Sequence, residues 1–174
     1  MSNKSKIISV LLVGFLASII LRVFVLDSFI VTGDSMNPSI LSGDYIFVYK
    51  LSYVRGDPER GDIVVATPRG INEKIVKRIV GLPSEWISIE DGRVVVRTER
   101  RGEEEILEEP YLSMEKTPEV GITSTNLDPQ EYFALGDNRA VSVDSRELGL
   151  IDSWDIDGRV IGVFRIKDFS FHSF

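Results

Sequence analysis

An uncharged run from Ile7 to Leu21 constrains this chain more than any other feature; Lys4 and Lys6 precede it, and Arg22 and the apolar Val23-Phe24-Val25-Leu26 follow. As a helix, residues 7–26 extend about 30 Å at roughly 1.5 Å per residue, which matches the hydrocarbon thickness of a bilayer. Arg22 then falls near the far interface, where its long stem lets the charge snorkel to water. A cleaved secretory signal is the alternative, and it needs small residues in an Ala-x-Ala-like arrangement after a short apolar core. Ala17-Ser18-Ile19 does not provide one and the residues after Arg22 are bulky, so the segment reads as an uncleaved anchor. The two lysines ahead of it predict a cytoplasmic N-terminus (1–6), a single pass, and everything beyond about residue 27 on the outer face.

That outer part reads as β structure. Short β-branched and aromatic runs recur at Phe29–Val31, Tyr45–Lys50, Ile63–Ala66, Lys74–Val80, Trp86–Glu90, Val94–Arg97, Tyr132–Leu135 and Val160–Ile166. Gly43-Asp44, Gly61-Asp62, Asp91-Gly92, Gly136-Asp137 and Asp157-Gly158 punctuate them as turns. The pattern predicts a mostly β, antiparallel domain built from 27–97 and 131–174, with its clearest hairpin closed by Asp91-Gly92. The stretch 98–130 differs, with Arg100-Arg101, Glu103-Glu104-Glu105 and little periodicity; it is a small inserted second region, a cap or a solvated loop.

Composition narrows the chemistry. A length of 174 residues suits one domain, and a net charge of −7 disfavours nucleic acid as a partner. Without cysteine there is no disulfide scaffold, thiol nucleophile or thiolate metal site. The one histidine, His172, lies in a terminal tail expected to fray, so a side-chain nucleophile here needs a base of another kind.

Two places supply such a pair. In Val31-Thr32-Gly33-Asp34-Ser35-Met36-Asn37-Pro38-Ser39-Ile40, Gly33 permits an unusual backbone conformation and Pro38 fixes its own φ. Ser35 is thereby presented on a tight turn whose backbone amides can face a developing oxyanion, although by itself such a stretch is usually an ordinary turn or helix cap. In Ile75-Val76-Lys77-Arg78-Ile79-Val80 a charged pair interrupts a strand. Alternation puts Lys77 with Ile75 and Ile79 and Arg78 with Val76 and Val80, so one cation is buried or shielded whichever face is the core. Edge-strand protection is the ordinary explanation of such a charge. A lysine of ordinary pKa, about 10.4, is neutral well under about 1% of the time at pH 8, and a drop of about 3 units by burial costs ~4 kcal/mol that the fold must supply. On those terms Lys77 is the best base available to Ser35. The block Leu135–Gly149 adds Asp137/Arg139 and Asp144/Arg146 spacings that suit ion pairs with each other or with Arg78, and Ser142, either a plain turn hydroxyl or a donor to a neutral Lys77.

Taken together, the anchor with Arg22, Ser35-Met36-Asn37-Pro38-Ser39, Gly43-Asp44-Tyr45, Gly61-Asp62-Ile63-Val64-Val65, Lys77-Arg78-Ile79-Val80-Gly81-Leu82-Pro83 and the Gly136–Gly149 block resemble the bacterial type I signal peptidases. These are membrane-bound Ser-Lys enzymes that remove signal peptides from exported proteins. The resemblance implies Ser35 as nucleophile with its backbone N–H in the oxyanion hole, Lys77 as general base, and Ser142 orienting the lysine. Arg78, Asp137, Asp144 and Arg146 are then structural support, and Val31, Met36, Ile40, Ile75 and Val76 line pockets for small residues before the cleaved bond. It implies no metal and no cofactor, signal peptides and membrane lipid as partners, a monomer, and a place in the cytoplasmic (inner) membrane.

Two departures from the family pattern stand out. Members with a serine at the Gly33 position use its hydroxyl as a second oxyanion donor, and Ala140 and Val141 replace a polar pair in the last block. Activity is expected to survive both. The alternatives are a soluble self-cleaving Ser-Lys regulator, which the anchor and the acidic balance disfavour, and a catalytically silent, membrane-tethered β domain that binds exported chains.

Overall fold

The computed structural model describes residues 3–98, 102–112 and 116–174. Arg100-Arg101 of the second region lie outside these residues. The chain opens with helix α1 (Asn3–Ile20), which runs into a wider helical turn at Leu21–Val25 and from there directly into strand β1 (Leu26–Ile30). The strands after it are β2 (Tyr45–Tyr49), β3 (Ile63–Ala66), β4 (Ile75–Gly81), β5 (Glu85–Glu90), β6 (Arg93–Thr98), β7 (Glu104–Ile106), β8 (Ser124–Asn126) and β9 (Glu131–Leu135). A one-turn helix α2 (Ser145–Leu148), β10 (Ile151–Asp152), β11 (Ile156–Arg165) and β12 (Ser170–Ser173) complete the described elements.

Every strand pair is antiparallel, and two sheets result. The larger runs β1-β2-β11-β3-β4-β9-β10 with β12 added beside β11, and the smaller runs β7-β6-β5-β8. The alternation of β3 decides the layering: Ile63 and Val65 enter one core with Met36, Ile40, Ile46 and Val160, while Val64 and Ala66 enter another with Ile79, Tyr132 and Ile151. The middle of the sheet is therefore covered on both faces, and both cations of β4, Lys77 and Arg78, are buried rather than one. A third core, with Val80, Ile87, Val94, Val96, Leu127 and Phe133, joins the small sheet to the large one.

One turn is used four times to start a strand. Asp44, Asp62, Glu85 and Glu131 each donate a backbone N–H to the carbonyl three residues earlier, at 3.0–3.2 Å. Each also accepts that same residue's N–H on its carboxylate: Leu41 at 2.9 Å, Glu59 at 3.1 Å, Leu82 at 2.8 Å and Asp128 at 3.0 Å. This local exchange explains why acidic residues sit just ahead of apolar runs.

The structure corrects several expectations. Among the described residues β5 and β6 pair as strands with each other, β8 and β7, so the smaller sheet takes in Glu85–Thr98, which the sequence pattern placed with the larger β domain. Asp157-Gly158 is not a turn: β11 runs through it, with a register shift against β3 between Ile156 and Gly158. The tail expected to fray is strand β12, held by pairing with β11 and by Phe171 over Gly162 and near Phe47, at 6.0 Å between ring centroids. His172 within it is exposed.

Burial should grade the four turns. Asp62, which also accepts from the Tyr53 hydroxyl at 2.9 Å and pairs with Arg159 at 3.2 Å, is expected to cost about 2–3 kcal/mol as Asp62→Ala, against under about 1 kcal/mol for the more exposed Glu131→Ala. Denaturant unfolding of both variants in detergent checks this, and equal losses would refute it.

Candidate active site

The loop between β1 and β2 is closed at its neck, where Val31 N–H donates to Asp44 O and Gly43 N–H to Val31 O, both at 2.9 Å. Met36 and Ile40 drop from it into the core, and Gly33 takes a φ of 94°, a conformation in which a serine would be strained. The same loop is clamped from the block after β9. Asn138 N–H donates to Ser35 O at 2.9 Å and its side-chain amide donates to Asp34 O at 3.1 Å. Gly136 packs so closely that a Cβ there would meet Ser35 O at 2.4 Å and Ser142 Oγ at 2.2 Å. Only glycine fits.

Lys77 comes to this loop from β4. Its side chain ends on Ser35, with Nζ donating to Ser35 Oγ at 3.0 Å and to Val76 O at 3.1 Å. The residue is 4% exposed. Burial lowers its pKa from 10.5 to about 8, against the opposing pull of the Asp144 and Asp137 carboxylates. The expected hydrogen bond from Ser142 is not formed: Ser142 Oγ is buried and has no partner among the described residues. In the observed arrangement the carbonyl of Val76, the lysine's own neighbour, takes the second place on Nζ.

Buried ion pairs surround the two. Arg78 grips Asp137 with two hydrogen bonds, at 2.8 and 2.7 Å, and also donates to Gly61 O at 2.8 Å and Ser39 Oγ at 3.3 Å. Asp144 receives Arg146 at 2.8 and 2.9 Å, accepts from Gly136 N–H at 3.0 Å, and caps α2. Arg146 Nη2 also donates to the carbonyls of Arg139 and Ser142, and Nη1 donates to Pro118 O. Both pairs join groups whose spacing or charge made them candidates in the sequence.

Two clefts flank the serine. One, of about 350 Å³, is lined by Val31, Met36, Ile75 and Val76, and also by Phe29, Ile30, Ile46 and Val65. Ile40, which the resemblance placed in the pocket, is not on its wall; it is wholly buried in the core beneath the loop, packed with Met36 and Ile46. The other cleft, of about 590 Å³, is lined by Thr32, Asp34, Asn37, Asn138, Val141 and Val143, and Ser35 and Lys77 border both. Val141, in place of a polar residue, is exposed at 61%.

This geometry and the relatives of the chain agree on a class, the serine peptidases. Residues 4–165 match the family described as "Signal peptidase, peptidase S26". Signal peptidase I of Bacillus licheniformis is 31% identical over 90% of this chain and 86% of its own length, and signal peptidase I P of Bacillus subtilis subsp. natto is 33% identical over 90% and 86%. A solved signal peptidase I from Enterococcus faecalis V583 aligns at a TM-score of 0.49 and 24% identity, covering 59% of this chain and 96% of that one. The chain belongs to the S26 signal peptidase family, and it is a hydrolase.

The burial of Lys77 has a thermodynamic signature. Its pKa is about 8 in the fold against 10.5 in the unfolded chain, so the unfolded chain binds more protons between those values and the fold gains stability as pH rises. The contribution is complete above about 10.5 and is lost as pH falls through about 8, a swing of about 3 kcal/mol. Against Lys77→Met, in which the tyrosine titrations cancel, wild type is expected to gain that amount between pH 7 and 11. A pH-independent difference in unfolding free energy would contradict it.

Proposed function

We propose that the protein is a membrane-anchored endopeptidase that removes signal peptides from exported preproteins through an acyl-enzyme on Ser35, with Lys77 as its base. Family membership supports signal-peptide removal as the reaction. The observation that carries the residue assignment is the 3.0 Å contact between Lys77 Nζ and Ser35 Oγ, at an amine whose pKa burial brings to about 8. A neutral amine at this place accepts the Oγ proton as Oγ attacks the scissile carbonyl. The oxyanion faces the Ser35 backbone N–H, which has no hydrogen bond among the described residues. Collapse expels the new amino terminus, which takes the proton from the Lys77 ammonium. Lys77 then deprotonates water for attack on the ester, and the acid product leaves with Ser35 restored. Asp137, Asp144, Arg78 and Arg146 act as supports, their charges matched in pairs. The small cleft, walled by Val31, Met36, Ile75 and Val76, suits a methyl-sized side chain beside the cleaved bond.

For anchoring, residues Lys6–Val25 form a helical stretch of mean hydropathy 2.6 with no buried share. Lys4 and Lys6 favour a cytoplasmic N-terminus and a catalytic domain on the outer face of the cytoplasmic membrane, where the substrate and the lipid are both at hand. Lys50 of the β2 end ties domain to helix, donating to Arg22 O at 3.4 Å and to Val23 O.

Cleavage of a preprotein in liposomes tests the reading. Wild type should cut after a small residue with a rising limb near pH 8. Ser35→Ala should be inactive, and Lys77→Ala should be slower by ~10²–10⁴-fold. Cleavage that persists in Ser35→Ala would overturn the assignment.

A further inference from the structure

The second region does more than cover the first. After β7 the chain brings two side chains to the catalytic end of the large sheet, Glu109 and Tyr111. Glu109 takes hold of Arg139, its Oε2 accepting from Nη1 at 2.9 Å and its Oε1 accepting from Nη2. Thr117 Oγ1 accepts from the same Nη1 at 2.5 Å, and Nε donates back to Gly136 O at 3.1 Å. The side chains of Arg139 and Glu109 are 1% and 8% exposed, so this is a desolvated pair. Tyr111 lays its ring on the guanidinium of Arg78, 4.0 Å from centroid to Cζ, and donates its hydroxyl to Glu109 Oε1 at 2.7 Å. Burial and the neighbouring carboxylate push that hydroxyl's pKa up, so it stays a donor throughout the neutral and mildly basic range.

The two arginines gripped in this way adjoin the base on one side and the clamp on the nucleophile's loop on the other. Arg78 follows Lys77 on β4, and Arg139 follows Asn138, which holds the carbonyls of Ser35 and Asp34. We propose that Glu109 and Tyr111 form one brace, supplied by the second region, that keeps the strand bearing the base in register with the loop bearing the nucleophile. They are positioning residues, and the inference rests on the reading of Ser35 and Lys77 given above. An error of about 1 Å in such a contact costs on the order of 10²-fold in rate. Breaking the brace leaves Arg139 buried without its counter-charge and opens the Arg78 side of β4 to water.

Water entry gives the inference a readout that a purely structural role does not move. The charges acting on Lys77 are Asp144 and Asp137, and Asp34 lines the adjoining cleft. Neither Glu109 nor Tyr111 is among them, so a changed pH limb would report hydration of the amine and not the loss of a charge beside it.

The test compares full-length Glu109→Gln, Tyr111→Leu and Tyr111→Phe in liposomes on a preprotein, with Ser35→Ala and Lys77→Ala alongside. Glu109→Gln and Tyr111→Leu should lose about 10- to 100-fold in kcat with KM changed less than about twofold, and their rising limb should move above the wild-type position. Tyr111→Phe, which keeps the ring on Arg78, should recover most of the rate. Should Glu109→Gln fail to fold, the apolar pair Glu109→Leu/Arg139→Met serves in its place; it should restore the melting temperature and not kcat. Wild-type kcat and pH limb in Tyr111→Leu, or in the apolar pair, with Ser35→Ala dead and Lys77→Ala slowed by ~10²–10⁴-fold, would overturn the brace and leave the dyad standing. Activity in Ser35→Ala would instead remove the reading beneath it.

Discussion

A lysine amine cannot be buried cheaply, and the end of this molecule that carries Ser35 is organised around one that is. Bringing the pKa of Lys77 down to about 8 costs about 3 kcal/mol at neutral pH, which packing elsewhere must offset. The sheet does so by covering β4 on both faces, so that a residue reaching from it towards Ser35 stays out of water. Two carboxylates, Asp137 and Asp144, lie close enough to pull the value back up. Each is matched by an arginine, Arg78 and Arg146, and desolvation is left as the dominant effect.

Those ion pairs are weak grounds for stability in themselves, because removing two charges from water costs about as much as their attraction returns. Their value is geometric. A bidentate guanidinium–carboxylate contact fixes two chain segments to within a fraction of an ångström, and here it fixes β4 against the block after β9. Gly136 makes the close approach possible, since any side chain there would strike the serine loop. The smaller sheet, which local pairing alone would make a peripheral hairpin, reaches the same place through Arg139 and Arg78.

How much of this was legible in the sequence depended on how local the cause was. β3 was read with its observed bounds, because a Gly-Asp turn precedes an unbroken β-branched run. Strands β7 and β8, three residues each at Glu104–Ile106 and Ser124–Asn126, carry no such signal and exist through pairing with β6 and β5. Asp157-Gly158 looked like a turn because a bulge uses the same residues as one. Ser35 and Lys77 were legible as chemistry, a presented hydroxyl and a cation on an apolar strand. Their distance was not, and neither was the partnership of Arg139 with Glu109, thirty positions away in a stretch that read as a cap or a solvated loop. Ser142 shows the limit from the other side: its type and place suited an orienting donor, yet its hydroxyl is unpaired among the described residues where the Val76 carbonyl takes the lysine.

The central claim is that burial makes Lys77 a base near neutral pH, and the most direct measurement is of the proton itself. Lysines labelled at Cε in the full-length protein, with Lys77 assigned by comparison with Lys77→Met, can be titrated by carbon NMR in detergent between pH 6 and 12. The account requires one lysine resonance, absent from Lys77→Met, to titrate near pH 8. A Lys77 that titrates near the ordinary lysine value of about 10.4 would contradict it.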